Sequence, residues 1–288
     1  MNPRLLSLLL LSLLFACKSP DRTSAFKDAI VYEERDKEIL EKILEQHAGD
    51  SQLAMSELMV KVGRSFLETP YVAFTLEKEG DEELIINLRE LDCTTYAENC
   101  LAISRTLKSG KPDFDQFCAE LQSIRYRNGT LEGYASRLHY FCDWIHNNQE
   151  NKLISNRPDN LKQASFHKEI NFMSTHPGSY RQLKEDSTLV EAMAAQEKLI
   201  SSRKMYYIPE TRVAEVESQL MEGDIVGIST NIEGLAIQHV GILLCQGGRI
   251  HLMHASSKAE KVIISNETLE SYLLNSKSAS GIMLARPL

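Results

Sequence analysis

The segments His239-Val-Gly-Ile-Leu-Leu-Cys245 and Arg249-Ile-His-Leu-Met-His-Ala255 flank the short stretch Gln246-Gly-Gly248. Both flanking segments are rich in apolar residues, and a Gly-Gly dipeptide between two such segments is typical of a two-residue hairpin turn. The sequence therefore predicts two antiparallel strands joined by a tight turn, with Gln246 paired to Arg249.

This register decides which histidines of the hairpin share a face. Counting outward from the turn places His254 opposite Gly241, and side chains two apart along a strand point the same way, so Gly241 shares its face with His239. His254 and His239 are then diagonal neighbours within side-chain reach, whereas His251 points to the opposite face. A bulge or an odd-length loop would upset this register.

The segments around the hairpin divide the chain into a helical front and a β-rich back. Apolar positions recur at helical spacing in residues 36–67, 92–107 and 114–126. Further strands are expected at 84–88, 206–208, 224–229 and 261–264. Residues 127–200 mix aromatic and polar positions with weak periodicity, which we interpret as helix and long functional loops. These patterns predict one α+β domain with helices packed on an antiparallel sheet.

The composition narrows the possible partners. The chain of 288 residues has 40 Asp+Glu against 32 Lys+Arg, and 43% of its positions are hydrophobic. The apolar content is too high for a disordered chain. Nucleic acid is not an expected partner, since phosphate contacts need clustered Lys and Arg and the sequence has no basic run.

The N-terminus predicts export and an anchor. Residues 1–16 combine Arg4, a short Leu-rich run and a small residue before Cys17, which is the pattern of a secretory signal. The apolar run spans about 18 Å as a helix, too short to cross a bilayer. Leu14-Phe15-Ala16-Cys17 resembles a bacterial lipobox, which implies a lipid on Cys17, a tether over 17–30 and a soluble domain over 31–288 in the cell envelope. The alternative is an ordinary signal peptide followed by a chance cysteine.

Export would place the five further cysteines in an oxidising compartment, where disulfides can form. Because their number is odd, at least one thiol is free or intermolecular. Cys93 and Cys100 are seven residues apart in a predicted helix, about 10.5 Å of rise, which is too far for a disulfide. We interpret Cys100, Cys118, Cys142 and Cys245 as core thiols.

Cys93 is the candidate nucleophile. In Leu91-Asp92-Cys93-Thr94-Thr95-Tyr96, Asp92 is a good N-cap residue, which places Cys93 in the first turn of a helix. The positive end of the helix dipole is expected to lower the pKa of the thiol, and the free N–H groups can hold an oxyanion. A buried structural cysteine is the plainer alternative.

The two histidines of one face supply the partners that a thiol nucleophile needs. His239 would be the base that takes the proton of Cys93, and His254 would orient His239 through a ring nitrogen. Two ordinary strand histidines are the alternative. Zinc is disfavoured because no third acidic ligand stands at a set spacing, so neither a metal nor a cofactor is expected.

These residues resemble the NlpC-type papain-like cell-wall hydrolases. Asp92-Cys93, Gly223-Asp224-Ile-Val, His239-Val-Gly-Ile and His254-Ala match the motifs of that group in order, although Thr94-Thr95 replaces the usual Ser-Gly. The resemblance implies a papain-like fold, with the nucleophile at a helix N-terminus packed on a C-terminal antiparallel sheet. It also assigns Tyr71 and Asp92 as oxyanion and supporting residues.

The middle of the chain is similar to one branch of that group, the exported or lipoprotein N-acetylmuramoyl-L-alanine amidases first filed as a domain of unknown function. The matching blocks are Asp92 to Glu98, Arg125 to Gly129, Gly133 to Tyr140 and Asn171 to Ser174, within a branch-specific insert over about 110–205. The branch implies hydrolysis of the lactyl–L-Ala amide in peptidoglycan fragments, with disaccharide tetrapeptides that end in anhydro-muramic acid preferred. Separately, we expect the protein to be a monomer. A γ-D-glutamyl–diamino acid endopeptidase and a non-catalytic muropeptide-binding lipoprotein are the alternatives.

The insert offers a candidate substrate pocket. Its residues combine aromatic faces, hydroxyls and one fixed cation: Tyr134, Ser136, Arg137, His139, Tyr140 and Trp144. Sugars stack on aromatic rings, and a guanidinium binds a carboxylate through two hydrogen bonds. The alternative is a packed helix with Arg137 in a structural ion pair. Glu98 lies one helical turn after Cys93 and either orients the pocket or is an acid on the helix surface.

Overall fold

A computed structural model describes residues 30–155, 161 and 163–288 of the chain. The predicted signal, the lipidation residue Cys17 and almost all of the tether lie outside the described residues. Within these residues, no helix is both long enough and apolar enough to cross a membrane.

The helical part is concentrated before residue 202. Its longer helices are α1 (Glu34–Gln46), α2 (Met55–Ser65), α3 (Cys93–Lys108), α4 (Phe114–Arg125) and α5 (Phe141–Glu150). The insert adds α6 (Phe172–Thr175), α7 (Arg181–Glu185) and α8 (Ser187–Ser201). Two short helices, α9 (Val213–Val216) and α10 (Leu269–Leu274), connect strands of the sheet. The prediction of helices over 92–107 and 114–126 is confirmed.

The strands form a small parallel pair and a large antiparallel sheet. The pair joins β1 (Ile30–Val31) to β2 (Leu84–Ile85), so the strand expected over 84–88 is shorter than predicted. The sheet contains β3 (Ile154–Ser155), β4 (Ala164–Phe166), β5 (Met205–Pro209), β6 (Ile225–Thr230), β7 (Ile237–Gln246), β8 (Arg249–Ser256), β9 (Lys261–Thr268) and β10 (Ala279–Pro287). Its order is β4-β5-β10-β6-β7-β8-β9, with β3 also paired to β10. The predicted α+β class is confirmed.

The register of the hairpin is confirmed. Gln246 pairs with Arg249, and the register continues along both strands as far as Ile242 and Met253. Gly247 and Gly248 both have positive φ, as a two-residue turn of this kind requires. The register is therefore unbroken from the turn to Met253, the residue before His254, and to Ile242, three residues after His239.

The helical region expected over 36–67 is two helices rather than one continuous element. After α1 ends at Gln46, a 3-10 turn at Ala48–Asp50 redirects the chain before α2 begins. Gly63 of α2 lies tightly against its neighbours, because a Cβ there would come within 2.5 Å of Met253 and 2.7 Å of the Tyr96 hydroxyl. This glycine is thus a close-packing residue between helix and sheet.

The strand β10 was missed by the sequence analysis, although it lies inside the sheet between β5 and β6. Its Arg286 forms a bidentate ion pair with the fully buried Asp224, with both N···O distances 2.8 Å. Gly223, which precedes that aspartate, has φ +83°, and a Cβ on it would lie 2.3 Å from the Ser56 backbone oxygen. The Gly-Asp motif therefore joins α2, β6 and β10.

Apolar side chains pack on both faces of the sheet. One large cluster lies between the sheet and the helices and includes Tyr96, Val240, Ile242 and Met253. A second, smaller cluster lies under α9 and α10 and includes Leu243, Leu252, Leu269 and Leu273. Both clusters bury strand residues, so the sheet is the central layer of the domain.

All five cysteines of the described chain are free thiols. Cys100, Cys118 and Cys142 are buried, as predicted, but Cys245 is exposed near the end of β7, so its assignment to the core was wrong. A strand end at a tight turn has no layer above it to bury the side chain.

Candidate active site

Cys93 begins helix α3, and its position is fixed by a complete capping box. The Asp92 carboxylate accepts the Thr95 backbone N–H at 2.7 Å, and the Thr95 hydroxyl accepts the Asp92 backbone N–H at 2.9 Å. A cap of this kind contributes about 1 kcal/mol to the helix. The second threonine of the Asp-Cys-Thr-Thr element thus stabilises the turn that presents the thiol.

Three hydrogen-bond donors lie near the Cys93 sulfur: its own backbone N–H, the Thr94 hydroxyl and the backbone N–H of Val240 on β7. All three act to lower the pKa of the thiol, but burial and the Asp92 carboxylate outweigh them and raise it to about 12. The expectation of a lowered pKa was therefore wrong for the free protein. The thiol is protonated at neutral pH, and a base must take its proton as it attacks.

The histidines of the hairpin lie together as the register predicts. His239 Nε2 and His254 Nδ1 are 2.6 Å apart, and the two rings are nearly perpendicular. Burial lowers the pKa of His239 to about 4, and burial together with the charge of His239 lowers that of His254 to about 3. Both rings are neutral at neutral pH, which is the state a general base requires.

The geometry also selects the ring nitrogens. Because His239 Nε2 is used by His254, Nδ1 is the nitrogen of His239 that remains as a base. A free lone pair on Nδ1 requires the proton of neutral His239 to sit on Nε2, where it is donated to His254. The proton of His254 is then on its own Nε2, a buried atom that has no hydrogen-bond partner among the described residues.

Tyr272 is part of this group and was missed by the sequence analysis. Its ring lies 6.3 Å from that of His239, nearly parallel, and 5.6 Å from that of His254, edge to face. Burial raises the pKa of Tyr272, and the charge of Cys93 raises it further. Tyr272 therefore lies close to all three candidate catalytic residues. The only sequence signal is an aromatic residue in a short segment between two strands, which is too common to have selected it.

Cys93 opens into a cleft of about 280 Å³. The lining combines the start of α3, the segment 71–77 and parts of the insert: Tyr71, Ala73, Phe74, Leu76, Glu77, Asp92, Cys93, Thr94, Thr95, Glu98, Arg125, Arg137, Leu138 and His139. The structure thus brings Tyr71, Asp92, Glu98, Arg137 and His139 together with Cys93. Burial, with the nearby charges of Cys93 and Asp92, raises the pKa of Tyr71.

The charged groups of the cleft are already paired. Arg125 donates to Glu98 at 2.7 Å, and Arg137 lies 2.6 Å from Glu77 and 3.3 Å from Glu82. We call these five residues the charged wall. Glu98 is 2% exposed, so its interpretation as a helix-surface acid was wrong. Arg137 lines the cleft, but it also forms ion pairs, as expected if its role is structural. Carboxylates of the protein therefore compensate its charge.

Tyr134 and His139 support Arg137 from the side of the insert. The Arg137 guanidinium lies over the Tyr134 ring at 5.1 Å, and the rings of Tyr134 and His139 are 4.3 Å apart. A hydrogen bond of 2.8 Å joins His139 Nε2 to the Tyr134 carbonyl. Burial and the Arg137 charge lower the pKa of His139 well below its usual value, so this ring is neutral.

Besides Tyr134, three more residues predicted for the pocket do not line this cleft. Trp144 is fully buried and stacked on Phe141 in the core, so no ligand can stack on it. The Tyr140 hydroxyl is buried and donates to Glu197 at 2.6 Å. Ser136 donates to the Gly133 carbonyl at 2.7 Å and lines a separate depression. Their aromatic and hydroxyl groups are used for packing and turn formation instead.

Phe74 is a lining residue that the sequence analysis missed. Its side chain is 67% exposed, although Phe is usually buried, and its φ of 63° is in the left-handed region. Both features depend on how the chain turns between Val72 and Glu77, and the sequence has no pattern that reveals them.

The described residues contain no group of three or more His, Cys, Asp or Glu side chains placed to hold a metal ion. The hydrogen-bond donors near the sulfur are a hydroxyl and backbone N–H groups. This donor set suits an anionic sulfur or oxygen atom.

Fold and site together define an α+β protein with a cysteine at a capped helix start in a cleft and a hydrogen-bonded histidine pair on the neighbouring hairpin. Residues 61–282 match the AmiA-like family, described as N-acetylmuramoyl-L-alanine amidase-like, and the chain belongs to this family. Among solved structures, an N-acetylmuramoyl-L-alanine amidase from Bacteroides uniformis ATCC 8492 is similar. It shares 36% identity at a TM-score of 0.78, over 81% of this chain and 98% of that one.

Two further structures have the same fold. A Bacteroides fragilis protein named "putative xylanase" shares 38% identity at a TM-score of 0.75, over 78% of this chain and 98% of that one. A protein of Legionella pneumophila str. Philadelphia 1 shares 20% identity at a TM-score of 0.64, over 92% of this chain and 96% of that one, a likeness that shows the fold alone. No functionally curated protein has significant sequence similarity to the chain.

Proposed function

We propose that this protein is a cysteine N-acetylmuramoyl-L-alanine amidase of the papain-like, NlpC-type kind. The substrate is a peptidoglycan fragment, preferably an anhydro-disaccharide tetrapeptide, and the bond cut is the lactyl–L-Ala amide. The observation that carries the proposal is the 2.6 Å contact between His254 on β8 and His239 on β7, next to Val240, whose backbone N–H lies near the Cys93 sulfur. Membership of an amidase-like family supports the same reaction.

The reaction begins with a neutral thiol and a neutral imidazole. His239 Nδ1 takes the Cys93 proton as the sulfur attacks the lactyl carbonyl carbon, and His254 accepts the hydrogen bond from Nε2 of the resulting imidazolium. The free N–H groups at the start of α3 and the Tyr71 hydroxyl are the candidate donors to the oxyanion. The imidazolium then protonates the departing L-Ala amine, which leaves a thioester on Cys93.

Hydrolysis of the thioester repeats the same steps with water. His239 Nδ1 takes a proton from the water, the hydroxide oxygen attacks the thioester carbon, and the thiolate leaves and regains its proton. The products are a lactyl carboxylate on the sugar and a free amine on the peptide. Tyr272 packs against both rings of the pair, which favours a fixed orientation of His239 throughout.

The name of the Bacteroides fragilis neighbour raises glycoside hydrolysis as another chemistry. That reaction needs two carboxyl groups that flank the scissile bond. The carboxylates lining the described cleft are otherwise engaged: Glu98 with Arg125, Glu77 with Arg137, and Asp92 with the cap of α3. The arrangement therefore favours cysteine chemistry on an amide.

The proposal includes the cellular setting. The signal over 1–16 and a lipid on Cys17 would attach the domain of residues 31–288 to a membrane of the cell envelope, where peptidoglycan fragments are released. Residues 17–30 would serve as the tether.

The first test is to incubate the purified full-length protein with an anhydro-disaccharide tetrapeptide and to identify the products by mass. Free disaccharide and free tetrapeptide are expected, and Cys93→Ala should form neither. A disaccharide dipeptide with a free dipeptide would show the γ-D-glutamyl endopeptidase instead. Binding without cleavage would show a muropeptide-binding protein, and cleavage that survives in Cys93→Ala would overturn the cysteine mechanism.

A further inference from the structure

Phe74 combines two features that are unfavourable for the folded protein. A Phe side chain gains stability from burial, yet this one is 67% exposed. Its φ of 63° is a conformation that only glycine and a few polar residues adopt readily. The other non-glycine residues with positive φ in the described chain are Glu68, Asn128, Lys152 and Glu260, none of them aromatic. An exposed aromatic ring held in this conformation needs a reason outside packing.

The exposed ring is not the result of a loose loop. Before Phe74, the Tyr71 N–H donates to the Glu260 carbonyl at 2.9 Å, and the Val72 N–H donates to the Leu91 carbonyl at 3.2 Å. After it, the Glu77 N–H donates to the Phe74 carbonyl at 3.0 Å.

The charged wall anchors the same turn from the other side. Arg137 donates to the Leu76 carbonyl at 3.2 Å and to the Glu77 carboxylate at 2.6 Å. The backbone on both sides of Phe74 is therefore fixed, and the ring is held at the rim of the cleft that contains Cys93.

The charged residues near Phe74 indicate which kind of ligand its ring contacts. The arginines of the cleft are compensated by Glu77, Glu82 and Glu98, so this side of the cleft has no free cation for a carboxylate. An exposed apolar ring with no uncompensated cation beside it suits a neutral ligand that has an apolar face. A pyranose ring is such a ligand.

We propose that Phe74 is the platform on which a sugar ring of the substrate stacks. This inference rests on the proposed amidase function for the identity of the ligand. It gives Phe74 the stacking role that the sequence analysis assigned to Trp144. The left-handed backbone at Phe74 lowers the stability of the fold, but it presents the ring to the ligand.

The test measures binding rather than cleavage, so that it can fail separately from the amidase proposal. The probe is the peptide-free disaccharide, N-acetylglucosaminyl-anhydro-muramic acid, titrated calorimetrically into full-length Cys93→Ala. We expect binding that weakens about tenfold in Phe74→Ala, a typical loss for one stacking contact. Phe74→Trp should keep the affinity within about twofold, and its fluorescence should change on binding, since Trp144, the only native tryptophan, is fully buried.

A matched control and a stability measurement sharpen the result. Leu199 is 55% exposed on α8 and does not line the cleft, so Leu199→Ala should leave the affinity unchanged. Phe74→Gly relieves the left-handed strain, so its Tm should equal that of the parent or exceed it by about 2–4 °C while its affinity falls as in Phe74→Ala.

The outcomes separate the two proposals. If the disaccharide does not bind, or binds Phe74→Ala as tightly as the parent, the stacking proposal is wrong whatever the cleavage assay shows. If binding depends on Phe74 but the tetrapeptide substrate is not cut, the amidase proposal is wrong and the stacking platform stands.

Discussion

The histidine hairpin and the charged wall occupy the same site, but they hold polar side chains in opposite ways. In the hairpin, two neutral imidazoles satisfy each other across 2.6 Å, and burial keeps both uncharged. In the wall, buried arginines and glutamates form ion pairs at 2.6–3.3 Å, while burial raises the pKa of Glu82 and of Glu98. A neutral pair can accept a proton during a reaction, whereas a compensated set of charges resists change. The histidine hairpin is therefore suited to proton transfer, and the charged wall to holding the shape of the cleft.

The largest expected effect is on the hairpin. His239→Ala should lower kcat/KM by about 10³–10⁴-fold, because the base that activates the thiol is lost. The free energy of unfolding should also fall by about 1–3 kcal/mol, because the buried His254 Nδ1 loses its hydrogen bond to His239, so activity is compared on folded protein. The measurement is steady-state kinetics on the anhydro-disaccharide tetrapeptide together with urea unfolding.

His251 provides the control for this prediction. It lies on the next strand with the opposite parity, and its ring donates to the Ser265 carbonyl at 3.0 Å. His251→Ala should destabilise the protein by about 1 kcal/mol through the lost hydrogen bond and leave kcat/KM of the folded protein within about twofold. An equal loss of activity in both variants would show that the pairing of His239 with His254 is not what the reaction uses.

The wall should show the reverse behaviour. Arg137→Gln leaves Glu77 and Glu82 facing each other without a cation, and breaking such a buried pair typically costs about 3–5 kcal/mol. Urea unfolding should detect this loss, and Ser136→Ala, one residue away but outside the cleft, should change stability by no more than about 0.5 kcal/mol. If Arg137→Gln were as stable as the parent while its KM rose, Arg137 would be a ligand-binding cation rather than part of a structural wall.

The smallest effect is a shift in the pH profile. Activity needs neutral His239, and burial lowers its pKa to about 4, so kcat/KM should fall by less than about twofold between pH 7 and pH 5.5. An ordinary imidazole with a pKa of about 6.5 would lose about tenfold over that range. The stability from burying the neutral ring is complete above about pH 6.5 and is lost as the pH falls towards 4, because the unfolded chain then binds the proton. A tenfold fall by pH 5.5, with the protein still folded, would contradict the assignment.

The same comparison explains which parts of the site the sequence specifies. The positions of His239 and His254 follow from a turn and a period of two, both of which are local, and the Asp92 cap is local as well. The fates of Trp144, Tyr140 and Ser136 depend on which layer covers the insert, and an aromatic residue in a weakly periodic segment fits a pocket as well as a core. The pKa of Cys93 was mispredicted for the same reason. Its place at a helix start is local, but the burial that raises its pKa depends on the rest of the fold.

The strand β10 was missed for a related reason. Residues 279–287 contain an apolar run, but Gly281 at one end and Pro287 at the other are typical of a loop. In the structure, the backbone around Gly281 approaches β5 so closely that a Cβ would lie 2.1 Å from the Ile208 carbonyl oxygen. A glycine required for close packing and a glycine in a flexible loop are identical in a single sequence.

The central place of β10 has a consequence for how the chain acquires its structure. β10 follows every other strand in the sequence, yet it pairs with β5 and β6, which end 70 and 49 positions before β10 begins at Ala279. Until it arrives, both of those strands have an unpaired edge, and exposed strand edges promote association between chains. Closing such distant contacts is slow. The pairing of β10 is therefore a late step during which the edges of β5 and β6 are open to association. The ion pair of Arg286 with the buried Asp224 forms only when this step is complete.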